Sequence, residues 1–196
     1  MNEATDALLE TLKKAAVALK AARIPFAVGG SYGVYARGGA PSEHDVDLLI
    51  AQDDIDRAVE VLCDHGFTAA NPPEDWLVKV YDEDRLVDLI YRPSERLVDE
   101  AMLARTDELT VGAVVMPVLR ASDLLVNKLL ALNEHYCDFA TMLPMARALR
   151  EQIDWPSVRA DTARSPYAEA FLLVCDRLGL IPAVAHQARL REVQHS

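Results

Sequence analysis

The feature that constrains this chain most is Asp45-Val46-Asp47 running straight into Leu48-Leu49-Ile50. The apolar half asks for burial as a strand, and residues two apart on a strand project from one face. Two carboxylates therefore point together from an element whose remainder belongs inside the protein. Like charges held that close repel, which raises one pKa unless a cation lies between them. Hard oxygen ligands of this kind suit magnesium or manganese. A solvated strand end carrying two surface aspartates has the same letters, so the pair needs company before it implies chemistry.

Two other features supply that company. Ile24-Pro25-Phe26-Ala27-Val28 reads as a short strand, and Gly29-Gly30-Ser31 breaks it. Glycines let the backbone approach a ligand closely, and a helix starting there would aim its free N–H groups at a phosphate. The Ser31 hydroxyl adds a further donor. A plain glycine turn with a helix cap fits these residues equally well. The third feature is Asp88, in the middle of the apolar run Leu86-Val87-Asp88-Leu89-Ile90. A carboxylate there is costly to bury unpaired. Either a metal shared with Asp45 and Asp47, or an arginine such as Arg85 or Arg92, would partner it.

Around these residues the patterning alternates between the two periods. Residues 5–22 repeat apolar side chains at helical spacing, with Thr5 or Asp6 as a cap. Residues 53–64 form a second helix stopped by Gly66. Residues 76–81 and 86–91 read as strands around Asp82-Glu83-Asp84, Asn71-Pro72-Pro73 is a turn, and 97–104 is helical. Leu109 to Leu119 is β-rich, with a turn at Gly112. From Ser122 the pattern is helical, over 122–134, 138–150, 156–163 and 166–178. Pro144, Pro156, Pro166 and Pro182 punctuate it, and Ser122, Asp154 and Ser165 serve as caps. The fold expected is α+β: a small mixed sheet with flanking helices over residues 1–119, then a helical bundle over 120–196.

Charge narrows the function further. Residues 1–100 hold 20 acids and 10 Lys/Arg, a balance of -10, whereas 101–196 hold 11 and 10. Such a chain is a poor general nucleic-acid binder, because phosphate neutralisation supplies most of that affinity. Arg37, Arg120, Arg147, Arg150, Arg159 and Arg164 are the cations available to meet phosphates, or else they belong to solvated faces. No apolar run is long enough to span a membrane, and the acidic N-terminus is unlike a signal peptide, so a cytoplasmic protein is expected. Cys63, Cys137 and Cys175 are scattered and read as buried free thiols. A Gly-x-Ser-x-Gly elbow and a metal-binding His pair are both missing, which argues against a hydrolase, and His44 reads as a loop residue.

Taken in order, Gly30-Ser31, Asp45-x-Asp47 and Asp88 resemble the polymerase-β-type nucleotidyltransferase superfamily. The resemblance implies that Gly30 and Ser31 hold a triphosphate. It implies that Asp45 and Asp47 bind two magnesium ions (manganese is an alternative) and that Asp88 helps activate the attacking hydroxyl. Lys128 and Asp138 extend the likeness to the AbiEii- and MenT-type toxin nucleotidyltransferases. There the lysine contacts nucleotide phosphates and the aspartate completes the site. The likeness covers residues 24–150, and departs at Phe139 to Met142, where the family often shows a second acidic residue. It implies an NTP substrate, with pyrimidines preferred, and transfer to the 3′ end of tRNA as the toxin of a toxin–antitoxin pair. It also implies a cognate antitoxin acting at Ser31. Two other readings stay open on the same residues: a small-molecule, antibiotic-type nucleotidyltransferase, which the acidic half would suit through attraction of cations, and a catalytically silent nucleotide-binding module.

Overall fold

The computed structural model describes residues 3–40, 45–70 and 74–182. The chain divides into two compact units, Met1–Leu119 and Arg120–Ser196.

The first unit is built on a seven-stranded mixed sheet. Its strands are β1 (Ala27–Val28), β2 (Asp45–Leu49), β3 (Thr68–Ala70), β4 (Leu77–Asp82), β5 (Arg85–Ile90), β6 (Thr106–Val111) and β7 (Val114–Leu119). Their order is β3-β4-β5-β2-β1-β7-β6. β2 runs parallel to β5 and β1 parallel to β7, and the remaining neighbours are antiparallel. Two helices, α1 (Glu3–Ala21) and α3 (Ile55–Asp64), pack on one another and on the sheet. The stripe Leu8, Leu12, Ala15, Ala16 and Leu19 of α1 meets Val46, Leu48, Val80, Val87, Leu89, Met116 and Val118 in one core. Each of those large side chains contributes on the order of 1.5–3 kcal/mol by leaving water. The alternation of β2 and β5 thus commits Val46, Leu48, Val87 and Leu89 to the core, and sends Asp45, Asp47 and Asp88 to the other face.

Local chemistry sets where elements begin and end. α1 already includes Thr5 and Asp6, the residues expected to precede it as caps. The strand expected over 24–28 shortens to Ala27–Val28, because the chain leaving α1 first turns through Arg23 at φ 56°. The helix expected over 97–104 shortens to α4, Glu100–Leu103, because the Asp99 carboxylate caps it by accepting the Met102 N–H at 2.7 Å. The β6–β7 hairpin turns on Gly112 and Ala113, both at positive φ, which matches the twist of a two-residue hairpin. A polar knot ties the β4–β5 hairpin to α1. Asp82 accepts from Thr11 Oγ1 at 2.7 Å, from Lys14 Nζ, and from Arg85 Nη2 at 3.1 Å.

The second unit is helical over its described residues: α5 (Ala121–Leu130), α6 (Phe139–Leu149), α7 (Trp155–Asp161) and α8 (Pro166–Arg177). α5 packs on α6, α7 and α8, and α6 packs on α8, where Phe139 meets Phe171 edge to face at 5.3 Å. Asp154 and Ser165 cap α7 and α8 through their side chains. Ser122 does not cap α5, whose N-cap is Arg120; its hydroxyl instead accepts the Asp154 N–H at 2.8 Å. Pro144 lies inside α6, within the segment expected over 138–150. Cys63 and Cys137 are exposed, contrary to expectation, and only Cys175 is buried, which pushes its thiol up to about 11. Asn71-Pro72-Pro73, His44 and the chain beyond residue 182 lie outside the described residues. No helix among the described residues is long and apolar enough to cross a membrane.

Candidate active site

The site grows from the register of β2 against β5. Asp47 stands directly beside Asp88 across the parallel pair, and Asp45 lies two residues back on the same face. One carboxylate oxygen from each of Asp45, Asp47 and Asp88 falls within 4.8 Å of the others. Asp88 is nine-tenths buried, and its Oδ1 has no hydrogen-bond partner. Burial pushes its carboxyl up to about 6, Lys79 pulls it down, and the charges of Asp45 and Glu74 add to the rise. Neither arginine expected as an alternative partner takes that role. Arg85 engages Asp82 and Glu83, and Arg92 pairs with Asp75 at 2.7 Å.

The glycine turn is fused to this cluster. Gly29 donates its N–H to the Asp47 carbonyl at 2.9 Å. Helix α2 (Gly30–Ala36) starts at the next residue, with Ser31 second in it. Gly30 takes φ 49°, and a Cβ on it would overlap the Asp47 carboxylate and come within 2.9 Å of the Asp47 Cβ. Glycine is required twice over: for the left-handed backbone, and because the Asp47 side chain fills the space a methyl would need.

This donor set fits a divalent cation. It supplies three hard oxygens from converging carboxylates, one of them buried and without a donor. Bringing three carboxylates so close without a cation leaves mutual repulsion, which Lys79 offsets in part at Asp88.

Of the other expected site residues, Lys128 lies in the last turn of α5, half-buried between Val126 and Leu129 in sequence. Asp138 caps α6, accepting the Ala140 N–H at 2.9 Å, so its carboxylate has a structural task in the second unit. Arg37 is not a phosphate-facing cation. Its guanidinium donates to the Leu119 and Val118 carbonyls and pairs with Asp107 at 2.8 Å, with the side chain 7% exposed. Two residues at the site escaped the sequence reading, Lys79 and Glu74. Lys79 sits opposite Asp88 on β4, and its ammonium lies 3.7 Å from Glu74 Oε1. The available signal was that Lys79 is the only lysine or arginine between Arg57 and Arg85, set within a run that is otherwise strand-forming.

A short glycine turn after a strand, a carboxylate pair on the next and a third carboxylate on the parallel neighbour define a nucleotidyltransferase class of fold. The chain belongs to the family described as "Uncharacterised nucleotidyltransferase", whose model matches residues 3–180. No curated protein is a significant sequence match. Among solved structures, the crystal structure of ANT(2″)-Ia in complex with adenylyl-2″-tobramycin is similar with a TM-score of 0.61 at 14% identity. That match covers 83% of this chain and 95% of the other. The solution structure of the same antibiotic-resistance factor gives a TM-score of 0.53 at 17% identity, covering 97% of this chain and 96% of the other. The lincomycin-bound lincosamide adenylyltransferase LnuA gives 0.49 at 11% identity, over 74% of this chain and 94% of the other. At these identities the likeness is one of fold.

Proposed function

We propose that the protein transfers a nucleoside monophosphate from an NTP to a hydroxyl of a small cationic acceptor, with pyrophosphate as the leaving group. The observation that carries the proposal is the fused block of Gly29-Gly30 with Asp45, Asp47 and the partnerless Asp88 Oδ1. The bond formed joins the acceptor oxygen to the α-phosphorus, and the bond broken joins that phosphorus to the bridging oxygen of pyrophosphate. Asp45, Asp47 and Asp88 would hold magnesium, two ions in the polymerase-β manner, or manganese. Bound there, the metal supplies charge neutralisation for the phosphates and a lower pKa for the acceptor hydroxyl. Gly30 keeps Asp47 in place, and the turn through Ser31 offers donors to the triphosphate. Asp88, besides ligating metal, would take the acceptor hydroxyl proton or lower its pKa. Lys128 is the candidate for a further phosphate contact, and Asp138 for completing the site beyond its capping role.

Two observations favour a small cationic acceptor. The first hundred residues carry a balance of -10, which attracts cations and repels nucleic acid. The fold neighbour with the highest TM-score reported above carries an adenylylated tobramycin. A tRNA 3′ end, a pyrimidine preference and an antitoxin acting at Ser31 rest on the resemblance to toxins alone, and Arg37, one of the cations that reading needs, is occupied within the fold. Incubation with each radiolabelled NTP, magnesium, tobramycin and total tRNA separates the readings, with Asp47→Ala as the control. Label on tobramycin with the wild type only is the expected result. Label on tRNA alone would restore the toxin reading, and no magnesium-dependent pyrophosphate release would leave a silent module.

A further inference from the structure

The triad has two flanks, and only one is accounted for. Across the sheet the order β4-β5-β2-β1 puts the glycine turn, which follows β1, on one side of Asp45, Asp47 and Asp88. Lys79 of β4, with Glu74 three residues before that strand, lies on the other. In-line displacement places the leaving group and the attacking oxygen on opposite sides of the transferred phosphorus. If the triphosphate lies over the glycine turn, the acceptor approaches from the β4 flank.

That flank holds a charged pair that is only loosely made. The Lys79 ammonium carries three donors, yet its one ion pair is the 3.7 Å approach to Glu74 Oε1, too long for a hydrogen bond. The other oxygen, Glu74 Oε2, is buried and has no hydrogen-bond partner. The neighbouring Asp88 Oδ1 shares that condition, in a side chain that is nine-tenths buried. A buried carboxylate oxygen left without a donor costs free energy comparable to a lost charged hydrogen bond. Metal binding relieves that cost at Asp88, and at Glu74 it is left for another group to relieve. The Glu74 side chain is 35% exposed and Lys79 25%, so the pair borders solvent; Oε2 itself is covered, and a ligand reaches it only when the carboxylate turns.

We propose that Glu74 is a specificity-determining residue that anchors the acceptor, its Oε2 accepting a hydrogen bond from an acceptor amine, with Lys79 positioning the carboxylate through Oε1. The inference rests on the nucleotidyltransferase reading above. It deepens that reading by placing the amine on the side of Asp88 remote from the glycine turn. Lys79 also sets a limit on the acceptor: a cation bound at Oε2 has another cation across the carboxylate, so a second acceptor amine cannot share Oε1.

Tobramycin is the probe, titrated calorimetrically into the magnesium-loaded full chain. Glu74→Gln keeps the size of the side chain and its Oε1 while removing the charge. It is expected to weaken tobramycin binding about tenfold or more. Manganese affinity of the triad, read by electron paramagnetic resonance on the same sample, is expected to change by less than about twofold. Lys79→Met leaves the carboxylate and removes the neighbouring cation, and is expected to hold or tighten tobramycin binding. Equal tobramycin affinity in wild type and Glu74→Gln overturns the proposal. So does a Lys79→Met loss as large as that of Glu74→Gln, since the pair would then be only a brace. A wild type that binds manganese but not tobramycin also overturns it while leaving the nucleotidyltransferase reading intact, whereas failure to bind manganese removes both.

Discussion

The two ends of the β4–β5 hairpin bury an aspartate each and treat it in opposite ways. Asp82, 7% exposed, is enclosed by donors from Thr11, Lys14 and Arg85. Burial works to raise its carboxyl, but the hydrogen bonds from those three side chains outweigh burial and hold it below the usual carboxylate range. Asp88, 9% exposed and six residues on, has an oxygen with no donor, and burial raises it to about 6. The same residue at nearly the same depth is a fastener in one place and an unsatisfied charge in the other. The difference lies in how much counter-charge the fold itself supplies: three hydrogen-bonding side chains at Asp82, and at Asp88 the nearby Lys79 alone.

The largest effect expected is on catalysis. Asp88→Asn should lower nucleotidyl transfer by about a thousandfold, as loss of an electrostatic contact at the reacting centre does. The same change should raise the melting temperature of the metal-free protein near pH 7.5, because it removes a buried charge that Lys79 offsets only in part. A variant less active but more stable would sharpen the contrast with Asp82, and one that loses both would break it.

Gly30→Ala comes next. A methyl there displaces the Asp47 carboxylate, and a shift of about 1 Å at a reacting site costs on the order of a hundredfold in kcat. Steady-state pyrophosphate release checks this, and manganese affinity should fall with it.

Asp82→Ala should leave the chemistry alone and destabilise the fold by about 2 kcal/mol, measured by urea unfolding. That figure is set below the range for fully buried pairs because Lys14 is partly exposed.

The smallest effect is on pH dependence, and here the two aspartates oppose each other. Asp82 has a lowered folded pKa, so its contribution is present above the unfolded value of about 3.9 and is lost as pH falls through the folded one. Asp88 has a raised folded pKa of about 6, so the unfolded chain gives up that proton first as pH rises. Its contribution to metal-free stability is therefore full below about 4 and declines as pH climbs towards 6. Thermal melts in chelator across this range should show the decline in wild type and not in Asp88→Asn.

Much of this arrangement was legible in the residues. Asp45, Asp47 and Asp88 announce themselves because a carboxylate in an apolar strand is a conflict that must be resolved somewhere. Alternation along β2 and β5 then decides that the three share a face. Asp82 was read as a turn residue, because nothing local shows that α1, some seventy residues earlier, brings Thr11 and Lys14 to it. Arg37 looked like a free cation for the same reason, its partners being carbonyls of β7 and Asp107 of β6. Glu74 and Lys79 were missed because their meaning depends on register across β4 and β5, which no periodicity encodes. α4 shrank because its cap at Asp99 lies inside the stretch read as helical.

The contact between Gly29 and the Asp47 carbonyl, with the Asp47 carboxylate seated over Gly30, has an evolutionary corollary. The loop proposed for the nucleotide and the strand proposed for the metal are in direct contact, so neither tolerates drift while the other stays fixed. Descendants of this sequence that change what they modify are free to do so at the far flank, around residues 74–79. This shared joint admits retention or loss of the chemistry, with little room between.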